Sequence, residues 1–154
     1  MPQNQAKPYR MSISGLRSPY DKVGGLVYFG RMIDKIRLHA SNTLPADYIP
    51  NLGEAFDKLC ARFLKVPYSD LVGQIKLGAG DETALEWCFS NGHRPSDEEI
   101  FVWNEFIRKR GWNDAGSERL KQRKAESGFE NRDEIQTFFD YIDADERRPV
   151  APKS

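Results

Sequence analysis

The sequence predicts an all-α protein, an irregular bundle of six to seven short helices with no substantial sheet. Three observations predict it. Apolar residues recur at three- and four-residue spacing through most of the chain. Capping signatures and Gly or Pro stops bracket those stretches. Period-two alternation is confined to a few residues near Ile13 and Val27, too short to found a sheet.

The elements follow in order. Phe29, Met32, Ile33, Ile36 and Ala40 fall on one stripe and predict an amphipathic first helix of about three turns. Pro45 and Pro50 predict an extended connection. Asn51 with Glu54 resembles a capping box, and the stripe Leu52, Phe56, Leu59, Cys60, Phe63 predicts the second helix. Pro67 stops it. Ser69 then caps a short helix with Leu71, Val72 and Ile75, which ends at Gly78-Ala79-Gly80. Asp81 caps a fourth, carrying Leu85, Trp87, Cys88 and Phe89 to Asn91-Gly92.

Ser96-Asp97-Glu98-Glu99 is a full capping-box signature with acids in the first turn. That helix runs through Ile100, Trp103 and Ile107 to Arg108-Lys109-Arg110, with Gly111 as its stop. A polar helix from about Ser117 to Ala125 follows. The last helix carries Ile135, Phe138, Phe139 and Ile142 on one face. Residues 1–12 and 147–154 read as flexible tails punctuated by prolines, leaving 13–146 as a single helical domain.

Composition narrows the function classes. The 154 residues carry 23 basic and 23 acidic side chains and are 39% hydrophobic, the profile of an ordinary globular chain. Net neutrality argues against nucleic acid, whose non-specific binding rests on phosphate neutralisation. No stretch approaches the roughly 20 apolar residues that span a bilayer, and no signal-peptide core is evident, so no membrane partner is expected. Cys60 and Cys88 form no Cys-x-x-Cys pair and fit a reducing cytoplasm as free thiols.

The densest functional side chains lie on the first helix. Arg31, Asp34, Lys35 and His39 form the candidate ligand-binding set, in which a Lys35–His39 pair at i, i+4 would suit an anionic ligand as clamp and base. Core-edge packing beside solvated charges is the plainer reading. His93 sits in a turn with no ligand at zinc spacing. Gly78-Ala79-Gly80 lacks the third glycine of a dinucleotide loop, and Gly24-Gly25 has no Gly-Lys-Ser/Thr beside it. No catalytic residue, metal site or cofactor is assigned. Trp112 and Tyr20 are the aromatics expected to be partly exposed.

The segment Phe138-Phe139-Asp140-Tyr141-Ile142-Asp143-Ala144-Asp145-Glu146 breaks a local rule. Carboxylates at a helix C-terminus oppose the macrodipole, so something must compensate. Solvent, arginines such as Arg17, Arg31 or Arg37, and a divalent cation are the alternatives.

Leu16-Arg17-Ser18-Pro19, Gly24-Gly25, Arg31-Met32-Ile33-Asp34-Lys35, Glu99-Ile100 with Trp103-Asn104, and Phe138-Phe139-Asp140 through Glu146 occur in that order over about Leu16 to Arg147. In these stretches the chain resembles a bacterial family known only as a domain of unknown function. The resemblance implies a compact helical domain and supplies no reaction, cofactor or catalytic residue. It pairs basic residues of the N-terminal half with an acidic C-terminal end, which implies a structural polar network of Arg17, Asp140 and Asp143.

The leading reading is therefore a non-catalytic helical module that binds a protein partner or forms a homo-oligomer. The alternative is a binder or enzyme acting on a small anionic ligand through Arg31, Lys35 and His39. An exposed apolar patch favours the first, and a pocket holding Lys35 and His39 favours the second.

Overall fold

The first helix begins at Phe29, where its apolar stripe begins, and runs to Ala40 (α1). Just before it the chain makes a minimal hairpin, β1 (Lys22–Val23) paired antiparallel with β2 (Leu26–Val27) in the register Lys22 to Val27 and Val23 to Leu26. Gly24 and Gly25 form its turn with φ of +56° and +83°, the doubly left-handed geometry that two-residue hairpins favour. Four residues in strands leave the molecule predominantly helical, as the periodicity predicts.

The computed structural model describes residues 12–150. The remaining helices are a 3-10 helix Ala46–Asn51, α2 (Phe56–Leu64), α3 (Tyr68–Lys76), α4 (Asp81–Asn91), α5 (Asp97–Lys109), α6 (Ser117–Glu126) and α7 (Phe138–Asp145). The chain divides into two compact units, Gly15–Asn104 and the described residues 12–14 with 105–150, and the boundary falls inside α5.

In the larger unit, α1 packs on α3 and β1, while α3 also meets α2 and α4. Its centre is fully buried: Leu26, Phe29, Met32, Ile33, Cys60, Leu64, Leu71, Ala84 and Cys88. The hairpin is tied to α5 by Asn104. The Asn104 carboxamide accepts from Val27 N–H at 3.0 Å and donates to the Gly25 carbonyl at 2.8 Å. The Trp103 indole donates to the Val27 carbonyl at 3.2 Å.

In the smaller unit, α6 packs on α7 around a cluster of Leu120, Phe129, Ile135, Tyr141 and Ala144, with Phe138 and Val150 against it. The tails read from the sequence fall mostly outside the described residues. Within 147–150, Arg148 is ion-paired and Val150 is half-buried.

Several boundaries differ from the sequence reading, for local reasons. Pro45 is extended, with φ −56° and ψ 144°, but Pro50 lies inside the 3-10 helix that follows, so only the start of this connection is extended. The second helix starts at Phe56, not near Leu52, because Gly53 and Ala55 take positive φ (+73° and +51°). Asn51 is no cap; instead Asp57 accepts from Gly53 N–H at 3.0 Å. Pro67 and Gly80, not Ser69 and Asp81, are the residues flanking α3 and α4. The Ser96–Glu99 box is present as read, with Ser96 Oγ accepting from Glu99 N–H at 3.1 Å and Glu99 accepting from Ser96 N–H at 3.0 Å.

Candidate functional site

The polar residues of α1 divide between two networks. Asp34 is 6% exposed and receives Arg17 from three directions: Arg17 N–H at 3.0 Å, Nε at 2.9 Å and Nη2 at 3.0 Å. The same guanidinium continues to Asp81 at the start of α4, with contacts of 2.7 and 3.0 Å. Arg37 closes the chain of charges on Asp81 at 2.9 Å and donates to the Ala79 carbonyl at 3.1 Å. Hydrogen bonding to Arg17 lowers the Asp81 pKa to about 2, and Asp34 and Asp81 together raise that of Arg17. Gly30 makes room for this arrangement, because a Cβ there would lie 2.9 Å from the Arg17 guanidinium carbon.

Lys35 turns the other way. Its Nζ lies 2.7 Å from Asp57 Oδ1 and donates to the Tyr28 hydroxyl at 3.1 Å. The Tyr28 hydroxyl in turn donates to Asp57 Oδ1 at 2.6 Å, and Gly53 N–H occupies Oδ2. Asp57 is completely buried and Lys35 is 5% exposed. Burial, reinforced by Asp57, raises the Tyr28 pKa well above 10, so the phenol remains a donor. Tyr28 adopts φ +76°, a strained conformation for an aromatic residue, held where its ring and hydroxyl are both anchored.

Arg31 is buried and donates to the Arg17 carbonyl at 3.2 Å, whereas His39 is exposed in the last turn of α1. The candidate ligand set is thus spread: Asp34 faces Arg17, Lys35 faces Asp57, and His39 faces solvent. Sequence reasoning missed Tyr28 and Asp57. Asp57 stands three, four and seven residues before Cys60, Ala61 and Leu64, the buried side of α2, and a charge centred on a buried stripe was the available signal.

The acidic end behaves differently from its sequence reading. Because α7 begins only at Phe138, Asp140 lies in its first turn, where the dipole favours a carboxylate. Asp140 N–H donates to Thr137 Oγ1 at 3.1 Å and its carboxylate accepts from Gln136 N–H at 2.9 Å. Asp143 and Glu146, 4% and 2% exposed, both receive Arg148, at 3.3 and 2.6 Å. Arg148 escaped notice because its segment reads as a tail. Among the described residues no group of three or more His, Cys, Asp or Glu side chains is arranged to hold a metal ion.

A cavity of about 260 Å³ opens in the smaller unit between Ser117, Leu120, Lys121, Lys124, Ala125, Glu130 and Ile135. It holds neither Lys35 nor His39. Lys124, on its wall, spends its ammonium on the Arg132 and Ile135 carbonyls at 2.9 Å each.

Among the described residues Leu77 is the most exposed large apolar side chain, at 82%, but three others share one helix. Along α5, Phe101, Val102 and Phe106 are 66%, 64% and 49% exposed. The opposite side of the same helix buries Trp103 and Ile107, so α5 is apolar on both faces. Trp112, beyond the helix end, is exposed as expected, and Tyr20 is half-buried.

A family model described as Domain of unknown function (DUF5069) matches residues 13–148. The chain belongs to this family. No curated protein matches it. The DUF5069 match takes in both networks and all of α5. The family description names no reaction, so the chemistry of the DUF5069 chain has to be argued from its own residues. Among those described, no helix is long and apolar enough to cross a membrane.

Proposed function

We infer that this DUF5069 chain is a non-catalytic interaction module whose contact surface is the outer face of α5. The observation that carries the reading is the exposure of Phe101, Val102 and Phe106 on a helix whose inner face is already buried. A helix with apolar residues on both sides normally has neighbours on both sides. The polar residues of α1 support the same reading from the opposite direction. Lys35 is held by a buried carboxylate and Asp34 by a forked arginine, which makes both parts of the scaffold. The buried free thiols Cys60 and Cys88 suit a cytoplasmic setting.

Site-specific photo-crosslinking in cells expressing the full chain tests the surface. A probe replacing Phe101 or Phe106 captures one dominant protein, another copy or a different chain, which a probe at exposed Lys121 does not capture. Equal capture from all three positions, or none from α5, overturns the reading.

A further inference from the structure

The outer face of α5 carries opposite charges at its two ends and phenylalanines between them, and these match themselves about one point. At roughly 100° per residue, Glu98, Phe101, Val102, Glu105, Phe106 and Lys109 share the side opposite Trp103 and Ile107. Their numbers pair about one point, between Trp103 and Asn104: 98 with 109, 101 with 106, 102 with 105. Two copies of the helix laid antiparallel across a two-fold axis at that point place Phe101 of each against Phe106 of the other. The same operation sets Glu98 of each beside Lys109 of the other. A parallel pair would instead stack like charges at both ends. Two-fold pairing of one patch with itself is the commonest way identical chains associate.

We propose that the occupant of this face is a second copy of the chain, joined through an antiparallel α5–α5 contact centred between Trp103 and Asn104. This rests on the reading of α5 as a contact surface and names its partner. Glu98 and Lys109 are exposed, Lys109 also bridging Glu105 of its own helix at 3.1 Å, so they set register and orientation, while the phenylalanines supply the buried area. A contact made by one helix of about 20 Å is smaller than the standard stable interface. The dimer is therefore weak and reversible, and loosens as salt rises.

Sedimentation velocity of the full chain over a concentration series tests this, with circular dichroism confirming that each variant is folded. The wild-type chain dimerises reversibly. E98K and K109E each weaken self-association at least tenfold, because each sets like charges against each other at both ends. An equimolar mixture of the two forms a heterodimer at close to wild-type strength, because each end then again sets opposite charges against each other, one pair in the original sense and one reversed. F101E/F106E, altered only at exposed positions, is folded and monomeric. A wild-type chain that stays monomeric at millimolar concentration overturns the proposal, as does a mixture that associates no better than either variant alone. If the wild type is monomeric while crosslinks from position 101 reach a different protein, the dimer falls and the contact surface stands. If there is neither dimer nor crosslink, both fall.

Discussion

Replacing Lys35 by Met tests whether α1 uses its charges to hold the fold or to hold a ligand. Lys35 Nζ and Asp57 Oδ1 are 2.7 Å apart, with side chains 6% and 0% exposed. Removing one partner of such a buried pair leaves a charge in a medium that solvates it poorly, at a cost of about 3–5 kcal/mol. Asp57 keeps the Tyr28 hydroxyl and Gly53 N–H, which places the expected loss near the lower end, about 3 kcal/mol. That is a large fraction of the roughly 5–15 kcal/mol that holds a typical domain together. Asp57→Asn alone should also destabilise. The double variant should lose less than the sum of the two, since neither charge then remains unpaired. Urea denaturation followed by tryptophan fluorescence in a Trp112→Phe background reads the larger unit alone, through Trp87 and Trp103. A K35M midpoint equal to wild type, or strictly additive losses, would refute the scaffold role and return Lys35 to the candidate ligand set.

Three further perturbations follow from the geometry. The Asp81 pKa, lowered from 3.8 to about 2, gives stability that is fully present above about pH 4 and lost as pH falls through 2. The full displacement corresponds to about 2.5 kcal/mol. Solvent around a side chain 35% exposed reduces this to about 1 kcal/mol, so Asp81→Asn should flatten the acid limb of the stability curve by that amount. Gly92→Ala should cost about 3 kcal/mol by thermal melting, because the added Cβ would sit 2.1 Å from the Leu64 carbonyl oxygen, a backbone atom that cannot step aside. Asp140→Asn should lower the stability of the smaller unit by about 1–3 kcal/mol, read by Trp112 fluorescence, since Asp140 is fully buried and its carboxylate accepts Gln136 N–H.

Local rules reached far into this fold. The stripe from Phe29 to Ala40, the Ser96–Glu99 box and the Gly111 stop needed only spacing and caps, and the structure has them. Where a start was displaced, another local feature had taken over from the expected cap. Positive φ at Gly53 and Ala55, with Asp57 accepting Gly53 N–H, delays α2 past Asn51, and Thr137 caps α7 at Phe138, beyond Ile135. The hairpin of two-residue strands is below what alternation can reveal.

Site residues were legible as residue types more than as partners. Arg17, Arg31, Asp34 and Lys35 stood out as charges on or near an apolar stripe, yet Asp57 and Tyr28, which complete the Lys35 network, are distant in sequence or masked by an aromatic's usual role in a core. Arg148 was hidden by the prolines around it. The outer stripe of α5 was present in the run Ile100-Phe101-Val102-Trp103, but a continuous apolar run does not say which side has a neighbour.

Radical footprinting of the phenylalanines of α5 tests most directly whether this helix is where the molecule works. In dilute purified protein, Phe101 and Phe106 should oxidise readily, as their exposure of 66% and 49% requires. In intact cells at native expression, both should be protected several-fold while exposed Trp112 oxidises equally in the two settings. Equal oxidation of Phe101 and Phe106 inside and outside the cell would mean that nothing covers this face, and would contradict the account.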